Sequence, residues 1–328
     1  MKQDVANQTL NRRSFITRTG AAIGGISAAA VPGQAAPPDD ATRRKFYTIL
    51  SLSRLGFKSD FRQSVSLAHE YGFEGIDPDA ALFASLSYND LRRLLDDLAS
   101  KKLKFGAAGL PVNFRKDTAK FNQGLSALPA AAQALQRAGV ARVSTYVMPC
   151  SNELTYLQNF RQHASRLREC AKILADHGQT FGLEYVATRT VWRSERQPFI
   201  HTLSELRELE VAIGADNLGV QLDSWHWYNA EETAADIENL RGRDVVTVDL
   251  NDAPRLPLDD QRDNHRELPA ATGVIPVRQF LQALVSIRYE GPIQAEPFNA
   301  QLRAMPVDQA VAATAAAIRK AFAEANLA

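Results

Sequence analysis

From residue 46 onward, short β-branched or apolar runs alternate with stretches whose apolar residues recur at helical spacing. Parallel βα units require this alternation, because a strand covered on both faces reads as a continuous apolar run and the crossover helix buries only one face. Eight runs qualify as strands, over residues 47–53, 75–77, 105–110, 142–147, 180–186, 218–223, 245–250 and 292–296. Amphipathic helices are expected over 61–71, 89–101, 154–177, 203–213, 277–287 and 307–325, with Gly72, Gly139, Gly178 and Gly214 placed to close helices in the left-handed conformation. Eight units in about 290 residues fit an α/β fold of the (β/α)8 type, a TIM barrel. A doubly wound sheet would use fewer strands and a glycine-rich first turn, and neither GxGxxG nor a P-loop occurs. The barrel is assigned to residues 46–328 as the one domain, preceded by a linker over 36–45.

The chain has 328 residues, 45% of them hydrophobic, enough to bury an ample core without disulfides or structural zinc. Lys+Arg 38 against Asp+Glu 37 leaves no basic surplus for a phosphate backbone, which argues against nucleic acid as a partner. Residues 1–35 resemble a twin-arginine signal peptide. Arg12-Arg13-Ser14-Phe15-Ile16 precedes a weakly apolar run over 21–31, and the small residues Gly33 and Ala35 suit a signal peptidase. The run is too short to span about 30 Å of hydrocarbon. Cleavage near Ala35 is therefore expected, with loss of Lys2, Arg12, Arg13, Arg18 and Asp4. The twin-arginine machinery would be the precursor's partner, the periplasm or exterior its destination, and no stable membrane association would remain. Because that route carries folded proteins, it favours a prosthetic group bound before export. Cys150 and Cys170 are expected to be free, buried thiols.

A barrel of this kind assembles its active site at the strand C-termini. Glu184, Asp223, Asp249 and Glu296 each stand at the end of an apolar strand there. One such acid would ordinarily be a helix N-cap or a surface charge. Four brought together repel unless a cation intervenes or protons bind, which points to a divalent metal. An all-oxygen ligand set favours Mg²⁺ or Mn²⁺ over zinc. Two connections, 187–202 and 251–276, are longer than usual βα loops and lie on this same face.

Leu222-Asp223-Ser224-Trp225-His226, Gly182-Leu183-Glu184, the closing Tyr289-Glu290-Gly291-Pro292-Ile293-Gln294-Ala295-Glu296, and Pro269 with Gly273 occur in a telling order. Together they make residues 46–300 resemble the sugar phosphate isomerase/epimerase superfamily of xylose isomerase-like TIM barrels, which includes ketose 3-epimerases, inosose dehydratases and hydroxypyruvate isomerases. The resemblance implies that Glu184, Asp223 and Glu296 ligate the metal and that Glu184 and Glu296 also exchange protons with the substrate. His226 and Arg255 would bind substrate oxygens. Asp249 stands where many members have a His ligand, and Arg255 keeps the expected offset of six from it. The added negative charge is expected to make His226 more basic and to be partly compensated by Arg255.

The implied protein is an exported, metal-dependent sugar isomerase or epimerase that abstracts a proton from a keto sugar or polyol through an enediolate. Its partner would be a small-molecule carbohydrate, and the barrel could work as a homo-oligomer. The alternatives are a lyase or dehydratase on a 3-keto sugar or inosose, and an exported sugar-binding protein without turnover. Nucleases that share the barrel need a histidine-rich site and a basic groove, which this chain lacks. His265 in the second long loop is a candidate lid residue. Tyr185, Trp192, Trp225, Trp227 and Phe298 are candidates for an apolar wall, while His69, His163 and His177 are expected at the surface.

Overall fold

A computed structural model describes residues 44–58, 60–115 and 117–327. Residues 1–35, read as an export signal, and most of the linker lie outside the described residues. The strands are β1 (Tyr47–Leu50), β2 (Gly75–Ile76), β3 (Lys104–Phe105), β4 (Ala108–Gly109), β5 (Arg142–Val147), β6 (Cys150–Ser151), β7 (Thr180–Tyr185), β8 (Gln197–Pro198), β9 (Leu218–Asp223), β10 (Val245–Asp249) and β11 (Pro292–Gln294).

Nine of them form one curled parallel sheet in the order β3-β2-β1-β11-β10-β9-β7-β5-β4. Its two edge strands are consecutive pieces of the run expected as the third strand. β3 pairs with β2 and β4 pairs with β5, so the chain itself joins the sheet's edges into a TIM barrel. The run is split at Gly106, which passes hard against β1: a Cβ there would lie 2.2 Å from Ile49 Cδ1. The backbone on either side still bonds to its neighbours, Gly106 N–H to Ile76 O and Leu110 N–H to Ser144 O, both at 2.9 Å.

Helices surround the sheet, among them Phe61–Tyr71, Tyr88–Ser100, Thr118–Arg137, Tyr156–Asp176, Leu203–Ile213, Val277–Ser286 and Val307–Glu324. Their ends follow local chemistry. The Asp60 side chain accepts from the Gln63 N–H, Thr202 and Glu205 form a capping box, and Gly72 and Gly214 close their helices at φ 76° and 67°. None of the described helices is long and apolar enough to cross a membrane. β6 and β8 pair antiparallel and clip together the segments that follow β5 and β7. Cys150 and Cys170 are free and buried.

His163 is not at the surface. It is 2% exposed, with ring centroids 5.3 Å from Phe114 and 5.0 Å from Phe199, and burial pushes its pKa down to about 4. The helical face it occupies carries Ala164, Leu167 and Cys170 into the core, so His163 serves as a neutral core ring.

Glu210, on the helix Leu203–Ile213, is 7% exposed, and burial raises its pKa from 4.5 to about 7. Between those values the folded chain holds a proton that the unfolded chain has released, so stability rises as pH falls through this window and is diminished above it. Glu210→Gln should raise the thermal midpoint at pH 8 by about 2 °C, the shift about 1 kcal/mol gives in a chain of this size, and leave it unchanged at pH 5. Thermal unfolding of both proteins at the two pH values checks this.

Candidate active site

The C-terminal ends of β7, β9 and β10 and the segment after β11 deliver Glu184, Asp223, Asp249 and Glu296 to one point. Each carboxylate contributes an oxygen lying within 4.8 Å of those of the others. The register explains the convergence: β9 and β10 align Asp223 with Asp249, and β10 and β11 align Asp249 with Gln294, two residues before Glu296. Asp249 is fully buried and Asp223 nearly so.

Two guanidinium groups stand among these acids. Arg54, in the turn after β1, uses Nη1 to reach Asp249 Oδ2 at 3.2 Å and Glu296 Oε1 at 2.5 Å. Arg266 uses Nη1 to bridge Asp223 Oδ2 at 2.7 Å and Glu296 Oε2 at 2.9 Å, while its Nη2 reaches Asp263 Oδ1 at 2.9 Å. The two cations do not offset the four carboxylates, and Asp263 on Arg266 adds a further negative charge, so the cluster keeps a net negative charge that a divalent ion would reduce. Neutral donors complete the frame. Gln221 Nε2 donates to Asp249 Oδ2 at 2.8 Å, Asn251 Nδ2 to Asp223 Oδ1 at 2.9 Å, and the Trp225 N–H to the same Asp223 oxygen at 2.8 Å.

This bonding is unevenly spread. Asp249 takes both of its donors on Oδ2, and its buried Oδ1 has no partner; Glu184 Oε1 is likewise buried and unpartnered. A buried carboxylate oxygen without a donor is costly. The two free oxygens, in an all-oxygen cluster, fit a divalent cation. Burial, followed by Glu296, Asp249 and Asp223, pushes the Glu184 pKa well up. Asp223 is raised to about 7, chiefly by burial and against the pull of Arg266.

His226 follows Asp223 by one helical turn and is 1% exposed. The Ala187 N–H donates to its Nδ1 at 3.2 Å, which leaves the proton of the neutral ring on Nε2. Nε2 lies nearest Arg266 Nη2, at 3.4 Å, with Asp263 Oδ1 at 3.8 Å, Asp223 Oδ2 at 3.9 Å and Glu184 Oε1 at 4.0 Å beyond it. With Glu184 and Asp223, His226 also forms a group whose possible ligand atoms lie within 4.8 Å of one another. The expected rise in basicity is reversed: burial first and Arg266 second push the His226 pKa down to about 3.

The structure does not bring Arg255 to the cluster. It is exposed and bonds through Nη2 to the Thr272 carbonyl. His265 is also exposed. The second long loop instead contributes the next residue, Arg266, 2% exposed and held from several sides. Asp252 and Glu267 exchange backbone hydrogen bonds of 2.9 and 2.8 Å, and the Arg266 N–H reaches Pro297 O at 3.1 Å. The Asp252 carboxylate accepts from the backbone N–H groups of Thr272, Gly273 and Ile275, which fixes the turn containing Gly273 at φ 71°.

The anticipated aromatic wall is largely core. Tyr185, Trp225 and Trp227 are buried, with polar ends bonded to Glu232, Thr188 Oγ1 and the Thr233 carbonyl. Trp192 stacks on His201 at 4.6 Å, and Phe298 lies 4.7 Å from the Arg266 guanidinium carbon. Sequence reasoning missed Arg54, Asp77 and Arg266. Arg54 and Asp77 follow β1 and β2 on the face already singled out, and Ser51 Oγ donates to Asp77 Oδ2 at 2.5 Å. Position after a strand could have found these two, whereas nothing local distinguishes Arg266 from the other basic residues of its loop.

A 3-dehydroshikimate dehydratase of Pseudomonas aeruginosa is 27% identical over 239 residues, covering 72% of this chain and 36% of that protein. An inosose isomerase of Halalkalibacterium halodurans is 23% identical over 145 residues, 44% of this chain and 49% of that protein. The chain thus aligns with about a third of the length of the first relative and about half of the second. A xylose isomerase domain protein from Alicyclobacillus acidocaldarius superposes with TM-score 0.76 at 29% identity, covering 86% of this chain and 99% of that one. The family model described as xylose isomerase-like TIM barrel matches residues 65–321. With barrel, register and match in agreement, this chain belongs to the xylose isomerase-like TIM barrel family.

Proposed function

We propose that this chain is a divalent-metal-dependent enzyme that removes a proton beside the carbonyl of a polyhydroxylated ketone and returns it at another position or face, as a sugar isomerase or epimerase does. The observation that carries this reading is the acidic ring itself, in which, among the described residues, Asp249, Asp223 and Glu296 bond to guanidinium groups and Glu184 does not. A carboxylate so placed is a stronger base than one in water. Glu184, Asp223, Asp249 and Glu296 would hold the ion, with Mg²⁺ or Mn²⁺ matching their oxygens. When bound, it supplies positive charge that stabilises the oxyanion of the enediolate.

The chain's own groups have separable tasks. Glu184 takes the proton from carbon, and the His226 Nε2–H donates to a substrate oxygen. Arg54 and Arg266 hold Glu296 by both of its oxygens, so a second proton transfer by Glu296 requires one of these bonds to open. Arg255, exposed and bonded to the Thr272 carbonyl, takes no part in this scheme.

A second reading, lyase or dehydratase, is favoured by the same asymmetry. One unencumbered base suffices to take a proton from carbon and hand it to the neighbouring hydroxyl, which leaves as water with formation of the C=C bond, and the 27%-identical relative is a dehydratase. Metal-loaded protein in D₂O, offered ketohexoses, inososes, 3-keto glucosides and a carboxylated keto-cyclitol, tests both. Isomerase or epimerase chemistry should give carbon-bound deuterium in a new isomer, and dehydratase chemistry an unsaturated product. Neither incorporation nor product across the panel, at full metal content, would leave only a sugar-binding role. The reading includes export, supported by Arg12-Arg13 and the short apolar run after it; recovery of only full-length protein from the cytoplasm would reject that part.

A further inference from the structure

Tyr146 and Glu184 are direct neighbours in the pairing of β5 with β7. Paired residues of parallel strands project from the same face of a sheet, so Tyr146 shares the barrel's inner face with the candidate base. It is nonetheless 45% exposed, which places its ring at the open mouth. Over that ring, 3.8 Å from its centroid, lies the guanidinium carbon of Arg115, which also sits 4.2 Å from the centroid of Phe114. Arg115 Nη2 is anchored to Thr145 Oγ1 at 3.0 Å and to the Tyr146 carbonyl.

Among the described residues Arg115 has no ion pair, its Nε is buried without a partner, and its Nη1 makes no hydrogen bond. The other arginines at the cluster are committed to carboxylates, Arg54 to Asp249 and Glu296, Arg266 to Asp223, Asp263 and Glu296. Arg115 therefore offers a stacked, oriented cation with donors to spare, close enough to Glu184 to feel its charge. A planar guanidinium fork holds carboxylate or phosphate oxygens in pairs, and the single charge of one guanidinium is balanced by one carboxylate.

We propose that Arg115, stacked on Tyr146, selects substrates that carry a carboxylate, so that the preferred substrate is a polyhydroxylated keto acid rather than a neutral keto sugar. The assignment deepens the enzymatic reading above and rests on its placing the substrate at this mouth. Its test needs no turnover. Equilibrium binding to the metal-loaded protein is measured by calorimetry for quinate, a polyhydroxycyclohexane carboxylate, and for myo-inositol, a similar ring without the carboxylate.

The wild-type protein should bind quinate at least 10-fold more tightly. Arg115→Met should abolish that preference while leaving myo-inositol within 2-fold, and Arg115→Lys, which keeps the charge without the planar fork, should retain part of it. Equal binding of the two probes by wild type, equal weakening of both in Arg115→Met, or no binding of either would overturn the proposal. So would displacement of quinate by inorganic phosphate at comparable concentration. Should Arg115→Met fail to fold, Arg115→Gln and Tyr146→Leu carry the same comparison. A probe preference that persists when the deuterium panel is silent would sink the catalytic reading and leave this one, whereas exchange without preference would do the reverse.

Discussion

Glu184→Gln is expected to lower the rate of carbon–deuterium exchange by roughly 10²- to 10⁴-fold, the usual contribution of a positioned general base. The amide keeps an oxygen for the cation and the shape of the side chain, so binding of substrate should change far less than turnover. Glu296→Gln is expected to do something different. Both Glu296 oxygens already accept from guanidinium nitrogens, at 2.5 Å from Arg54 and 2.9 Å from Arg266. An amide nitrogen in place of one oxygen would face a cationic donor, so this variant should lose cation affinity and stability along with rate. Exchange kinetics with metal content determined for each variant separates the two. If Glu184→Gln keeps full exchange at normal metal occupancy, Glu184 is not the base. If both variants lose exchange equally with metal retained, the two carboxylates act as partners, as a two-base epimerase requires.

That asymmetry was not legible in the sequence, although the cluster was. Glu184, Asp223, Asp249 and Glu296 could be anticipated because strand period and barrel topology suffice to send strand-end residues to one face. The strands β5, β7, β9, β10 and β11 were legible for the same reason, each falling in a distinctive apolar run, whereas the two-residue pair β6 and β8 was not. The third strand was harder to read. At its break Gly106 packs against a β1 side chain, Ile49, nearly 60 residues away, and no local pattern reports such a contact. His226 shows the limit for electrostatics. Counting nearby charges predicts a more basic ring, but burial dominates and Arg266, distant in sequence, adds to it. Arg255 and His265 were placed by offset and by loop membership, while the fold of residues 251–276 depends on Asp252 gathering three backbone N–H groups. A loop's own hydrogen bonds decide which of its residues faces inward, and here they select Arg266.

Arg266→Met is accordingly expected to destabilise the metal-free protein by about 3–5 kcal/mol, the cost typical of breaking a buried ion pair by removing one partner. The side chain is 2% exposed and bonds to Asp223, Asp263 and Glu296, so its loss leaves carboxylates in a dry site without their cation. Arg54→Met should cost less, because the Arg54 side chain is 23% exposed and water can enter where it stood. Arg266→Lys should not rescue the loss, since an ammonium is a point charge that cannot hold Asp223 and Glu296 with one nitrogen and Asp263 with another. Denaturant unfolding after chelation measures all three variants. Repeating it with Mn²⁺ tests the charge count directly. If a divalent ion and Arg266 neutralise the same carboxylates, saturating metal should stabilise Arg266→Met by more than it stabilises the wild type, because the variant's cluster carries one more uncompensated negative charge. Equal stabilisation of the two proteins would mean that Arg266 is there to pack between Trp225 and Phe298, and that the cation site does not depend on its charge.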